Sequence, residues 1–467
     1  MPTTLRQKTT KSVIKHTELS YSDLTKYLNS LKSHEYNSQS IARVKQIDKA
    51  LGNISSELNI ISVVGTNGKS STVNFTSKLL VEEGYKVGTF YSSHLFNYRE
   101  RISTNNVEIQ QKTFAKIVNE IIHVTKIHKI NATAHEIMAM SAILYFKEEN
   151  VDVAILEACV GGKFDAIAAF NSKIVGITRV ADDEVNSLGT NLEKITSDMV
   201  AVAKENSWLV SAEQSKIRLK KMKELADKNK INWSMPIRKL ASLPYIYEQL
   251  YGRSASLGER LAQIYAEEIK GKYSSFLRGN MLALQKGQRG RYSLETRNNN
   301  KENSVKSLQK FWSENFGLMT GKFELLNKEA PSILLDSADN LDALENLFLG
   351  IRLLHYQKPI KGLSLILSLK NWIKSEEALK IIRYMLKKVT GQVIFVNTNN
   401  QSDEFLNPEE LKNIGEGLGV KTKSSQTLEE AIHTAKKISA DRDGLITISG
   451  SSELIAYYWK IKGVTKI

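Results

Sequence analysis

The stretch Ile60-Ile61-Ser62-Val63-Val64-Gly65-Thr66-Asn67-Gly68-Lys69-Ser70-Ser71 decides the fold, because a β-branched strand enters a short glycine loop just before helical spacing resumes. Glycines in such a loop let backbone N–H groups approach phosphate oxygens, and the lysine adds charge near the β- and γ-phosphates. A hydroxyl after the lysine reaches Mg²⁺. We therefore predict a nucleotide phosphate loop formed by Gly65, Thr66, Asn67, Gly68, Lys69, Ser70 and Ser71, with a helix opening at Ser71.

The usual phosphate-loop pattern has a glycine where this chain has Val63. The alternative interpretation is therefore a strand-turn-helix corner that contains glycine and lysine but binds no phosphate. The order of strand, loop and helix favours phosphate binding.

The chain has 467 residues, of which 41% are hydrophobic, enough to bury a full core and to form two or three domains. Its formal net charge is +15, but the Lys and Arg residues are spread along the chain, and we expect no nucleic-acid partner. The single cysteine, Cys159, is expected to be a small buried side chain in a reducing compartment. With no apolar run of membrane-spanning length and no leader pattern, we expect a cytoplasmic monomer without a membrane partner.

Apolar strand-like runs alternate with helix-like stretches after the loop, which indicates a mostly parallel sheet covered on both faces. The predicted strands are 61–64, 151–156, 173–178 and 208–211, and the predicted helices include 72–83, 113–128, 135–147 and 192–203. A polar stretch at about 286–306 is predicted to be an insertion or mobile linker.

A second alternation follows that stretch, with predicted strands at 332–335, 363–367, 392–396 and 444–448 and helices between and after them. This order is typical of a smaller Rossmann-like α/β domain. We therefore predict two domains, a nucleotide-binding domain at 1–317 and a second domain at 318–467.

Further motifs accompany the phosphate loop over almost the whole chain, at 85–95, 99–102, 157–166, 188–195, 321–324, 335–340 and 450–451. Together with Gly-Thr-Asn-Gly-Lys, they resemble the folylpolyglutamate synthase/dihydrofolate synthase family, which belongs with the Mur ligases. The resemblance implies an N-terminal P-loop Mur-ligase-like ATPase domain and a C-terminal glutamate-ligase domain.

The resemblance also implies an ATP-dependent amide ligase with ATP and Mg²⁺ as cofactors. The γ-phosphoryl group would pass to a carboxylate of a folate or pteroate, such as tetrahydrofolate or dihydropteroate, and the amine of glutamate would attack the acyl phosphate. Such chemistry depends on holding and neutralising phosphate charge. Its small-molecule partners would be glutamate and the folate acceptor.

Roles are carried over position by position. The catalytic residues would be Lys69, Glu157 and Asp336, with Lys322 and Asp336 meeting the nucleotide from the second domain. Ser92, Glu157 and Glu184 would hold Mg²⁺, a hard cation that prefers oxygen ligands. His94, Arg101 and Asp165 would belong to the substrate pocket.

Several positions depart from the family pattern. Glu184 and Asp339 each stand where the family has histidine, Met199 stands where it has a carbamylated lysine, and Lys322 replaces an arginine and loses its planar fork. The family's Gly-x-His-Gln-x-x-Asn run is matched to 279–285. Two alternatives follow: a catalytically impaired descendant that still binds nucleotide, or a ligase with a different acceptor.

Overall fold

The computed structural model describes residues 18–182, 185–235, 237, 240–272, 308–397, 404–439 and 443–464. These residues form two mostly parallel sheets with helices packed on them, which confirms the predicted α/β class. No helix in the described ranges is long and apolar enough to cross a membrane.

The first sheet has eight strands in the order β4-β3-β2-β5-β1-β6-β7-β8. All neighbours are parallel except β2 with β3 and β3 with β4. The central strands are buried and continuously apolar, as expected of a parallel sheet with both faces covered. The strands are β1 (Ile60–Val64), β2 (Val87–Phe90), β3 (Ile102–Thr104), β4 (Val107–Glu108), β5 (Val153–Glu157), β6 (Ile174–Ile177), β7 (Trp208–Ser211) and β8 (Asn232–Trp233).

Alternate side chains of β1 pack into two different cores. Ile61 and Val63 join a cluster with helices α3 and α9, whereas Ile60 and Val64 join a cluster with α2, α4 and α5. The sheet is therefore covered on both faces, as predicted. The helices of this part are α1 (Tyr21–Ser30), α2 (Ser38–Ala50), α3 (Lys69–Glu82), α4 (Gln111–Ile127), α5 (Ala134–Glu148), α6 (Val185–Leu188), α7 (Leu192–Val200), α8 (Lys216–Lys228) and α9 (Tyr245–Ile264).

The second sheet has six strands in the order β13-β12-β11-β14-β10-β9, antiparallel only between β10 and β9. Its strands are β9 (Glu324–Leu326), β10 (Ser332–Asp336), β11 (Gly362–Leu367), β12 (Gly391–Val396), β13 (Thr422–Ser425) and β14 (Gly444–Ser449). The remaining helices are α10 (Leu308–Asn315), α11 (Leu341–Gln357), α12 (Ser375–Lys388), α13 (Pro408–Gly417), α14 (Leu428–Ser439) and α15 (Ser452–Ile461).

The helix after the phosphate loop begins two residues earlier than predicted. Gly68 precedes the helix with a φ of +89°, a left-handed conformation suited to glycine, and α3 begins at Lys69 rather than Ser71. Lys69, Ser70 and Ser71 therefore all lie in the first turn, where helix N–H groups favour an anion. The linker predicted at 286–306 and the motif match at 279–285 lie outside the described residues, and the domain boundary at 317/318 stays a prediction.

Candidate active site

The phosphate loop connects β1 to α3, and its two glycines are required by their surroundings. Gly65 has a φ of +137°, and a Cβ there would lie 2.0 Å from Oγ1 of Thr178. A Cβ on Gly68 would lie 2.8 Å from Oγ of Ser254, which belongs to α9. The backbone N–H of Thr66 donates to the carbonyl of Arg179 over 2.7 Å. The loop is thus closely packed between the strand end after β6 and helix α9.

The amine of Lys69 lies over this loop. Its Nζ donates to the carbonyl oxygens of Gly65 over 2.9 Å and Thr66 over 3.0 Å. A charged amine held at the loop's own carbonyls, beside the N-terminus of α3, suits an incoming phosphate.

Glu157 ends β5 next to the loop, because β5 pairs with β1 in a register that places it opposite Val63. Its side chain is buried, and Oε1 accepts hydrogen bonds from Ser70 over 2.9 Å and Ser92 over 3.0 Å. Its other oxygen, Oε2, is buried without a hydrogen-bond partner. A buried carboxylate oxygen is costly unless something binds it.

One carboxylate and two hydroxyl oxygens form a donor set that suits Mg²⁺. The structure therefore brings together the predicted pair Ser92 and Glu157 and adds Ser70. Glu184, the third predicted metal ligand, lies outside the described residues. Within the described ranges, no group of three or more His, Cys, Asp and Glu side chains could hold a metal.

The second sheet contributes a charged wall at the end of β10. Asp336 accepts hydrogen bonds from the backbone N–H groups of Phe323 over 2.8 Å and Ala338 over 2.9 Å. Burial raises the pKa of Asp336 to about 6, although the Lys322 amine opposes that shift. The Lys322 amine itself donates to Oγ of Ser337 over 2.8 Å. Burial also raises the pKa of Asp339, with Lys322 and Lys69 opposing.

Two neighbouring cavities lie between the phosphate-loop side of the first sheet and the end of β10 in the second sheet. The first, of about 390 Å³, is lined by Ser70 from the loop side and by Lys322 and Ser337 from the second sheet. The second, of about 740 Å³, is lined by Ser92, His94 and Arg101 on one side and by Asp339 and Lys370 on the other. Residues that follow strand ends of both sheets thus face one another, as is common for ligand sites in α/β proteins.

Of the three predicted substrate residues, two line the larger cavity and one does not. Arg101 is buried, and its Nε donates to the carbonyl of Tyr91 over 3.1 Å. Burial, with the nearby Arg101 charge, lowers the pKa of His94 to about 3, so its ring is neutral near pH 7. Asp165 instead lies in the protein interior, where Oδ2 accepts from the N–H groups of Cys159 over 2.8 Å and Val160 over 3.1 Å.

The other oxygen of Asp165 faces His135, with 3.4 Å between Oδ1 and Nε2. His135 could not be recognised from the sequence, because nothing local distinguishes it from other polar residues near a helix start. Both oxygens of Asp165 are thus occupied by protein donors. This side chain stabilises the turn after β5 in the described structure.

Met199 and Cys159 lie in different surroundings, one in the core and one at the site. Met199 is 1% exposed and packs in the core shared by α2, α4 and α5. Cys159 was expected to be buried, and that expectation is wrong: it is half-buried and lines the larger cavity, because it follows the end of β5 at the site.

The structure defines a two-domain P-loop α/β protein with a polar site between two mostly parallel sheets. No family model matches the chain. It is 29% identical over 315 residues to dihydrofolate synthase/folylpolyglutamate synthase of Bacillus subtilis, covering 66% of this chain and 70% of that protein. The enzyme of the same name from Buchnera aphidicola subsp. Baizongia pistaciae is 28% identical over 208 residues, which span 44% of this chain and 47% of its own length.

Solved structures share the fold over nearly the whole chain. Folylpolyglutamate synthase of Mycobacterium tuberculosis complexed with ADP has a TM-score of 0.75 at 18% identity, covering 95% of this chain and 98% of its own. E. coli FolC in complex with DHPP and ADP has a TM-score of 0.71 at 19% identity, with 95% and 98% covered. The bifunctional Yersinia pestis enzyme complexed with AMPPNP and Mn ion has a TM-score of 0.69 at 20% identity, with 96% and 98% covered. The chain is therefore similar in sequence to dihydrofolate synthase/folylpolyglutamate synthases and shares the fold of their solved structures, in agreement with the resemblance that its motifs indicate.

Proposed function

We propose that this chain is an ATP-dependent acid–amino-acid ligase that adds glutamate to a folate or folate precursor through an acyl phosphate. The observation that carries the proposal is Glu157, whose unpartnered buried oxygen lies beside the phosphate loop while its other oxygen binds Ser70 and Ser92. This is the arrangement expected where a metal–phosphate group completes the coordination. The family relationship supports the same reaction class.

Lys69 and the loop N–H groups would hold the phosphates of ATP, and Glu157 with Ser92 would hold Mg²⁺. When bound, the metal neutralises phosphate charge during transfer. Lys322 and Asp336 would meet the nucleotide from the second domain. The ADP, AMPPNP and Mn ion in the related structures support this choice of cofactors.

The acceptor would occupy the larger cavity, where the buried guanidinium of Arg101 favours an acidic group. Burial lowers the pKa of Arg101, but its guanidinium still carries charge near pH 7. A folate or pteroate carries the carboxylate that this charge would attract. We also propose that the chain is a cytoplasmic monomer whose partners are these small molecules, with no nucleic-acid or membrane partner.

The test is ATP turnover by the purified full-length chain with glutamate and Mg²⁺, with and without dihydropteroate or tetrahydrofolate. We expect ADP release and a glutamylated product that both depend on the acceptor. ATP binding without product would favour the impaired descendant. Turnover with neither acceptor, but with another carboxylate, would favour a changed acceptor.

A further inference from the structure

Four side chains join the phosphate loop directly to the second domain. The amide groups of Asn67 and Asn340 exchange hydrogen bonds in both directions, each over 3.0 Å. Asn67 also donates to Oδ2 of Asp342 over 2.7 Å. The guanidinium of Arg179 lies 2.6 Å from Oδ1 of the same carboxylate. We call these four residues the loop latch.

On the second-domain side, the latch is fixed by the start of helix α11. Asn340 is 3% exposed and caps this helix, since its Oδ1 accepts from the N–H of Ala343 over 2.9 Å. Asp342 lies in the first helical turn, where a carboxylate interacts favourably with the helix dipole. Its side chain is 14% exposed. The start of α11 therefore sets the positions of both residues that accept hydrogen bonds from Asn67, namely Asn340 and Asp342.

On the other side, Asn67 belongs to the phosphate loop and Arg179 is hydrogen-bonded to it. Asn67 lies between Thr66 and Gly68. Its amide nitrogen has two N–H groups, and it donates to one oxygen of Asn340 and one oxygen of Asp342. Arg179 supports the loop from behind, because its carbonyl accepts the Thr66 N–H. The latch therefore couples the loop's shape to the position of the second domain.

We propose that Asp342 is a positioning residue that holds the phosphate loop in its nucleotide-binding shape without contacting the nucleotide. The inference rests on the proposed function, because it concerns the same nucleotide site. By linkage, whatever stabilises the latched arrangement raises nucleotide affinity, and bound nucleotide stabilises the latch in return.

The two halves of the latch differ in exposure. Arg179 is 60% exposed, so its ion pair with Asp342 is screened by salt. Asn67 and Asn340 form a neutral pair that salt does not screen. The Asp342-dependent part of nucleotide affinity therefore falls as ionic strength rises.

The experiment measures equilibrium binding of AMPPNP with Mg²⁺ to the full chain by calorimetry. We expect Asp342→Ala to weaken binding about fivefold or more, and Arg179→Ala to weaken it less. The double variant should bind no more weakly than Asp342→Ala, since both act through one contact. Asp342→Glu, which keeps the charge, should restore part of the affinity.

The matched control is Asp443→Ala. Asp443 is a carboxylate of the second domain that pairs with Lys358 and Lys361 at the surface, 50% exposed, and its loss should leave affinity unchanged. Wild-type protein that binds no AMPPNP would overturn the proposed function. If a folded Asp342→Ala or Asp342→Asn variant binds AMPPNP as tightly as the wild-type protein, the positioning role of Asp342 is overturned. The proposed function would then still stand.

Discussion

The hydroxyl of Ser70 donates a hydrogen bond to Oε1 of Glu157 over 2.9 Å, which joins the first turn of α3 to the end of β5. Ser92 donates to the same oxygen from the loop after β2. Both hydroxyl protons therefore point at one oxygen of the carboxylate, and the second oxygen remains available. The Glu157 side chain thus links the first turn of α3 to the segment after β2 and keeps one buried oxygen without a hydrogen-bond partner.

Replacing Glu157 tests that assignment. Glu157→Gln removes the negative charge and puts an N–H₂ group where one of the oxygens was. We expect the Mg²⁺ concentration needed for half-maximal nucleotide binding to rise about tenfold or more. Nucleotide binding titrated against Mg²⁺ gives this value.

Glu148→Gln is the control for that measurement. Glu148 ends α5, is exposed, and pairs with Lys116 over 2.9 Å. Its substitution should leave the Mg²⁺ dependence unchanged. Equal small effects at both positions would contradict a metal site at Glu157.

Removing the amine of Lys69 should weaken nucleotide binding by about tenfold or more, the scale of a charged hydrogen bond. The fold should survive, because this amine donates its hydrogen bonds to carbonyls of the loop itself, those of Gly65 and Thr66. Calorimetry of Lys69→Ala gives the affinity, and thermal unfolding gives the stability. Lys116→Ala, at an exposed ion pair, is the matched control. An unchanged affinity in Lys69→Ala would refute the phosphate-loop assignment.

Met199 offers a test of stability rather than binding. Because the side chain is 1% exposed within an apolar cluster, Met199→Lys places an ammonium group among hydrophobic neighbours. We expect a loss of about 3–5 kcal/mol in the free energy of unfolding, the scale of an uncompensated buried charge. Urea unfolding measures it. Met199→Leu, of similar volume, should cost less than about 1.5 kcal/mol. A Lys variant as stable as the Leu variant would mean that the amine finds a polar partner.

Much of the fold could be predicted from sequence, because long apolar runs between helical stretches are local signals. The phosphate loop was predictable for the same reason, since its residues are consecutive. The start of α3 was not, because it depends on the left-handed backbone at Gly68. The short strands β3 and β4 carry too few apolar residues to be recognised.

The parts of the site that were missed depend on contacts between distant residues. Asn67 and Asn340 lie 273 positions apart and meet only because the two sheets pack together. The motif assigns Asp165 to the substrate pocket. In the structure, its carboxylate oxygens instead face His135 and accept hydrogen bonds from nearby backbone N–H groups. Helix α9 places Ser254 against Gly68. A motif shows which residue type is present, whereas only packing decides what that residue faces.

Asp336 should make stability depend on pH in an unusual direction. Burial raises the pKa of Asp336 to about 6 in the folded protein, whereas the pKa of an unfolded Asp is about 3.9. Between those values the folded state keeps a proton that the unfolded state has released. Since the folded state binds more protons there, this group's contribution to stability falls as pH rises from about 4 to about 6.

Asp336→Asn removes that titration while keeping an oxygen that can accept from Phe323 or Ala338. We therefore expect the stability of Asp336→Asn, relative to wild type, to increase as pH rises through this window and to level off above about 6. Urea unfolding of both proteins at pH 4.5, 5.5 and 6.5, chosen to span the window, gives the difference at each pH. Subtracting wild type removes the other carboxylates, which titrate in both proteins. A difference that stays constant, or that decreases with pH, would mean that Asp336 is ionised at least as easily in the folded protein as in the unfolded chain.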